Sequence, residues 1–147
     1  MPPLLDFQRA QFPGADDAVR HIQSGDSVFY SGNAATPFVL IDALARRADE
    51  LKDVLLNHVL LMGDDPLSQP GMEGRFRHNS LFVGPADRKA VNDGRADYTP
   101  IFLHQIPRIL RDKIVPLDVA LIHVSPPDWR ARCTPSTSLS SARKSPA

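Results

Sequence analysis

Residues 27–51 read SVFYSGNAATPFVLIDALARRADEL, and this stretch decides the fold class. Ser27-Val28-Phe29-Tyr30 is rich in β-formers and follows the turn residues Ser24-Gly25-Asp26, so it predicts a short strand. Phe38, Ile41, Leu44, Ala45, Ala48 and Leu51 then recur at helical spacing, with Asp42, Arg46, Arg47 and Asp49 on the other faces. Between strand and helix lies SGNAATP, in which Thr36 is expected as the N-cap and Pro37 as the first helical residue.

Outward from this unit the same alternation continues. Upstream, Val19 and Ile22 share one face of a short helix expected over 16–23, with Asp16 and Asp17 at its positive end. Downstream, residues 54–61 form an apolar run broken only by Asn57 and His58, which reads as a buried strand. MGDDPLSQPGMEGRF at 62–76 predicts a long loop, and long loops within compact domains are often functional. Strands are expected at 79–83, 98–103 and 117–124, and helices over 84–94 and 104–112, with Pro107 in a first turn. Helices alternating with short apolar strands imply an α/β fold: an open, mostly parallel, doubly wound sheet with helices on both faces.

The chain has 147 residues, consistent with one domain. Seventeen Lys and Arg balance seventeen Asp and Glu, for a net charge of +0. That excludes nucleic-acid binding through a basic surface and leaves no polybasic handle for a membrane. The amino terminus lacks a basic start followed by an apolar stretch, so a cytoplasmic domain is expected. Cys133 is the one cysteine, which rules out a disulfide framework within the chain. The charge balance hides a seam near Trp129. Beyond it come Arg130, Arg132, Arg143 and Lys144, no acid, and Leu139 as the one large aliphatic residue. The expected organisation is a folded body at 14–128 and a disordered tail at 129–147.

Residues able to carry chemistry are few. SGNAATP places small residues at a strand end and a helix start, where backbone N–H groups are free to meet a carboxylate, phosphate or thioester oxygen. It lacks the three glycines of a dinucleotide fingerprint and the Gly-Lys-Ser/Thr ending of a phosphate loop. On the motif alone, a tight turn with an N-cap is the simpler reading. His21, His58, His78, His104 and His123 show no paired metal spacing, and each reads first as a surface or strand-end residue. RFRHNS gathers two arginines, His78 and Asn79 and would suit an anion, although a solvated loop accounts for it more simply. Ser31, Ser80 and Ser125 occupy no nucleophile elbow, and Asp64 and Asp65 read as turn residues.

Three long segments carry a resemblance. They are SGDSVFYSGNAATPFVLIDALARRADELKDV, FRHNSLFVGPADRKAVNDGRADYTPIFLHQIPRIL and PLDVALIHVSPPD. In this order they closely resemble the amino-terminal domain of the acetyl-CoA hydrolase/transferase family, from about Ala15 to Asp128. The resemblance implies an enzyme of two similar α/β domains, roughly three times this length, with its site at their interface. It implies a glutamate nucleophile in the carboxyl-terminal domain, coenzyme A thioester as substrate, and a small carboxylic acid or water as acceptor. No residue of this chain matches that glutamate, and neither Glu50 nor Glu73 is assigned its role.

Three segments are expected to shape the acyl or carboxylate pocket: Gly32, Asn33, Ala35, Thr36 and Pro37; His78 and Asn79; and Ser125 and Pro126. After Asp128 the chain departs from the family pattern, as a shifted frame or premature end would make it. The expectation is therefore an incomplete CoA-transferase, inactive alone, with exposed apolar surface and a tendency to self-associate. Two alternatives stand beside it: one subunit of a split enzyme, completed by a separate chain, or a non-catalytic CoA- or carboxylate-binding module.

Overall fold

The computed structural model describes residues 14–126 together with Cys133. The tail expected at 129–147 lies outside the described residues, apart from Cys133, which is exposed. The described sheet has five strands: β1 (Ser27–Tyr30), β2 (Val54–Val59), β3 (Phe76–Phe82), β4 (Asp97–Tyr98) and β5 (Val119–Leu121). The α-helices among the described residues are α1 (Ala15–Val19), α2 (Phe38–Arg46), α3 (Arg88–Asn92) and α4 (Ile106–Arg111). Strand order is β4-β3-β2-β1-β5, and every pairing is parallel.

That order fixes which connection covers which face. From β1 to β4 the chain steps three times in one direction, then returns past β1 to place β5 on its other side. Right-handed crossovers put the first three connections over one face and the last over the opposite face. Hydrogen bonds agree with this. Thr99 and Pro116, from the last connection, bond to Asn79 and Ser27. Asp65 and Asp87, from the earlier connections, approach His78 and His58 instead.

The apolar core fills the first face. Val28 and Tyr30, Val54 and Leu56, and Phe76 come from successive strands, because alternate residues share a face. Ile41 and Leu44 of α2, with Val19 and Ile22, seal them from above, as their spacing predicts. Full burial of such a side chain contributes about 1.5–3 kcal/mol. The opposite face carries a polar chain. Asn79 Nδ2 donates to Asn57 Oδ1 at 2.9 Å, Asn57 Nδ2 donates to Ser27 Oγ at 2.9 Å, and Ser27 Oγ donates to the Pro116 carbonyl at 2.6 Å. Thr99 Oγ1 closes the other end on Asn79 Oδ1 at 2.7 Å.

Several boundaries differ from expectation. RFRHNS is not a solvated loop: residues 76–80 are the first five of β3, where Arg77 points outward and the flanking Phe76 and His78 point inward. The alternation was masked by the charge. The strand expected over 98–103 ends at Tyr98, since Thr99 turns to Asn79 and Pro100 has no N–H to donate. The helix over 104–112 divides into a 3₁₀ turn at Leu103–Gln105 and α4. β5 is Val119–Leu121, shorter than the 117–124 run, and α1 is Ala15–Val19. Phe102, Leu103, Ile114, Leu117, Ile122 and Val124 are exposed, so the last connection and the segment after β5 do carry apolar surface.

Arg77 forks onto both carboxylate oxygens of Asp97, joining β3 to the two-residue β4. Both side chains are about half exposed, which limits the pair to at most about 1 kcal/mol. Asp97→Ala is expected to lower unfolding free energy by that much in urea titrations, and less in 1 M salt. A loss well above it would show that β4 depends on this fork.

Candidate functional site

The topology contains one reversal, between β1 and β5, and open α/β sheets bind ligands beyond the carboxyl ends of their strands at such a point. The residues after β1 are Ser31 to Pro37, and those after β5 lead to Ser125 and Pro126. Both lie at the same sheet edge. The His123 N–H donates to Ser31 Oγ at 3.1 Å, and the Ser31 N–H donates to the Leu121 carbonyl at 3.0 Å. The structure thus ties Ser31, which opens the first expected segment, to His123, two residues before Ser125.

The loop after β1 is held by close backbone contact. A Cβ on Gly32 would lie 1.6 Å from the Val59 carbonyl oxygen and 2.9 Å from that of Leu60, so only glycine fits. The Asn33 N–H donates to the Leu60 carbonyl at 2.7 Å. Asn33 (φ 55°) and Leu60 (φ 42°) both adopt left-handed backbone, which asparagine tolerates and leucine resists. Such strain persists only where the surroundings enforce it, and it gathers at ligand-handling sites.

Residues Asn33–Ala35 form a 3₁₀ turn closed by two hydroxyls: Ser31 Oγ donates to the Ala35 carbonyl at 2.6 Å, and Thr36 Oγ1 to that of Asn33 at 2.7 Å. Thr36 is therefore not the cap of α2. Its hydroxyl is used in the preceding turn, Pro37 takes the N-cap position and Phe38 begins the helix. Thr36 and Pro37 are buried, whereas Asn33 is exposed.

Beneath this edge lies a cluster that sequence reasoning missed. Tyr30, His58 and Ser80 stand in register on β1, β2 and β3, with His78 one position pair earlier on the same face. All are buried, as are Asp65 and Asp87. His78 Nδ1 lies 3.3 Å from the Tyr30 hydroxyl and 3.2 Å from His58 Nε2. Asp65 Oδ2 is 3.5 Å from His78 Nε2, and Asp87 Oδ2 is 3.8 Å from His58 Nε2. The second oxygen of each aspartate is committed elsewhere: Asp65 Oδ1 accepts the Leu67 N–H at 3.0 Å, and Asp87 Oδ1 the Gly84 N–H at 2.8 Å.

Burial governs how these groups titrate. It holds His58 well below the ordinary imidazole range, with repulsion from His78 adding to the effect. It raises Asp65, partly offset by attraction from His78, and raises the Tyr30 hydroxyl, which also faces the charges of Asp65 and Asp87. Expected as surface or strand-end residues, both histidines are buried network members, His58 one residue from the end of β2 and His78 third in β3. The signal that could have found them was positional, since each histidine keeps the alternation of an inward-facing strand residue.

His78 and Asn79 do not share a pocket. Adjacent on β3, they face opposite sides of the sheet, His78 in this cluster and Asn79 in the polar chain with Asn57 and Thr99. Asp65 does act as a turn residue, capping the 3₁₀ turn Pro66–Ser68, but its other oxygen faces His78. Among the described residues no group of His, Cys, Asp or Glu is arranged to hold a metal ion, and no helix is long and apolar enough to cross a membrane.

Comparison with known proteins fits this architecture. Residues 7–145 match the model of the acetyl-CoA hydrolase/transferase N-terminal domain. The chain is 40% identical over 120 residues to 4-hydroxybutyrate coenzyme A transferase of Clostridium kluyveri, covering 82% of this chain and 28% of that protein. It is 46% identical over 121 residues to succinyl-CoA:acetate/propanoyl-CoA:succinate CoA transferase of Fasciola hepatica, covering 81% and 25%. The chain therefore spans about a quarter of the length of these relatives. RipA from Yersinia pestis shares the fold with a TM-score of 0.73 at 24% identity, over 88% of this chain and 32% of that one. A 4-hydroxybutyrate CoA-transferase from Porphyromonas gingivalis does so with a TM-score of 0.59 at 23% identity, over 89% and 29%. The chain belongs to the acetyl-CoA hydrolase/transferase family and carries its amino-terminal domain.

Proposed function

We propose that this chain, through a body at 14–128, supplies the amino-terminal wall of a CoA-transferase site, where CoA passes between an acyl-CoA and a small carboxylic acid. The observation that carries this is the strained loop at 31–37, set at the β1–β5 reversal in a chain of this family. Small residues there leave room for a carboxylate or thioester oxygen to approach the backbone, and Ser125 and Pro126 stand at the same edge. The covalent step needs a carboxylate nucleophile that attacks the thioester carbonyl, expels CoA thiolate and forms an anhydride. No acidic residue stands among those proposed to line the edge, which supports placing the nucleophile in the part of the family's length that this chain does not span. Turnover then requires that part, on the same polypeptide or a separate one.

Two measurements test this. Exchange of labelled acetate into acetyl-CoA is expected to stay at background for the chain alone, and turnover by the chain alone would overturn the placement of the nucleophile. In ¹H–¹⁵N spectra, acetate and acetyl-CoA are expected to shift the amides of Gly32, Asn33, Ala35 and Thr36. Unmoved amides at saturating ligand would remove the pocket assignment.

A further inference from the structure

His58 connects the buried cluster to the edge above it. The register shifts directly after His58: it pairs with Ser80 and Val59 with Phe82, so the extra residue is Leu81 on β3 and β2 continues from His58 without an insertion. The next two residues are those on which the loop rests: Val59 presents the carbonyl that excludes a Cβ at Gly32, and Leu60, in left-handed backbone, accepts the Asn33 N–H. Val59 and Leu60 follow His58 directly in the chain, so the placement of the β2 backbone at His58 sets where these carbonyls lie. The ring itself is gripped from three sides. It stacks on Tyr30 (centroids 5.2 Å apart, planes at 23°) and meets His78 edge-on at 5.3 Å, while Asp87 stands beyond Nε2.

Hydrogen bonding in the cluster is incomplete. His58 Nδ1, His78 Nε2, Ser80 Oγ, Asp65 Oδ2 and Asp87 Oδ2 are all buried without a hydrogen bond. Only one proton fits between His58 Nε2 and His78 Nδ1, because two N–H groups cannot face each other at 3.2 Å. Two carboxylates face the imidazoles, and no lysine or arginine bonds to any of these side chains among the described residues. The facing groups are thus Tyr30 from β1, His78 and Ser80 from β3, Asp65 from the loop after β2, and Asp87 from the turn before α3.

We infer that His58 is a positioning residue for the 31–37 loop, and that a proton taken from solvent onto its imidazole draws the ring from His78 toward Asp87, moving the Val59 and Leu60 carbonyls with it. In the neutral state inferred here His58 Nε2 accepts from His78 Nδ1–H, so a proton added at Nε2 sets two N–H groups face to face. The cation instead repels any proton on His78 and is attracted by Asp87, whose oxygen is now 3.8 Å away, beyond a good hydrogen bond. The cluster thereby makes loop position depend on proton occupancy. This rests on the reading of residues 31–37 as the ligand loop.

The experiment is a pH titration of the isotope-labelled chain, following histidine ring carbons and backbone amides together. Gly32 and Asn33 amides are expected to move with the midpoint of His58. In His58→Gln that movement is expected to vanish. In Asp87→Asn the midpoint is expected to fall, because the anion favouring the cation is gone. Gly32 and Asn33 amides that stay flat in the unmodified chain, or follow the same curve in His58→Gln, overturn the inference. The unmodified chain decides the matter even if a variant does not fold. Failure of acetate or acetyl-CoA to shift residues 32–36 would instead sink the ligand-loop reading and leave the coupling between cluster and loop standing.

Discussion

Gly32→Ala is expected to cost at least about 3 kcal/mol of folding stability, enough to leave a marginal domain largely unfolded at 37 °C. The added methyl would sit 1.6 Å from the Val59 carbonyl oxygen and 2.8 Å from its carbon. These are backbone atoms of β2, so no rotamer change makes room. Relief requires β1 and β2 to part at their carboxyl ends, which breaks the Asn33 to Leu60 hydrogen bond and opens the apolar face around Tyr30. Circular dichroism and urea titration of the variant beside Gly71→Ala give the check. Gly71 has open space where a Cβ would go, and its positive φ of 96° limits its cost to local backbone strain. Equal stability of Gly32→Ala and the unmodified chain would mean that the loop does not rest on β2 as described.

The second large effect is expected from Asn57→Asp, a change of one atom. Asn57 is fully buried, and its amide group donates to Ser27 Oγ while its carbonyl accepts from Asn79. An aspartate keeps the acceptor but sets a second oxygen against Ser27, whose own proton is committed to the Pro116 carbonyl. The result is a buried carboxylate without a counter-charge, and at neutral pH the expected loss is about 3–5 kcal/mol. The sign with pH follows from proton counts. Burial raises the folded-state pKa of the new acid above its unfolded value near 3.9, so the folded state binds the extra proton. Stability lost at pH 7 is therefore recovered as pH falls through the raised pKa, and urea midpoints at pH 7 and pH 5 read it.

His58 contributes in the opposite sense in the unmodified chain. Its folded-state pKa lies below the unfolded value, so the unfolded state binds more protons and stability declines as pH drops below about 6.5. Asp65, raised by burial, offsets part of that decline at lower pH. The difference between Asn57→Asp and the unmodified chain isolates the new acid from both. A variant whose deficit is the same at pH 5 and pH 7 would show that position 57 is open to water.

The sequence by itself determined the class of fold and the element that carries the candidate site. Phe38, Ile41 and Leu44 at helical spacing behind Ser27-Val28-Phe29-Tyr30 required a strand turning into a helix, because local periodicity reports which face each element buries. The alternation of such units then implied a parallel sheet, and the resemblance of three long segments named the family that the comparisons show. Neighbouring residues in sequence could not say which side chains meet across strands. Arg77 hid the inward alternation of Phe76 and His78, so His78 and Asn79 read as one polar loop although β3 sends them to opposite faces. Nor could Asp65 and Asp87, in separate connections, be linked to His58 and His78 before right-handed crossovers brought both over the same face. Strand order, register and crossover hand are relations between distant segments, set by burial of a common core. Tertiary structure alone therefore decided that a buried imidazole–carboxylate cluster underlies the loop at 31–37.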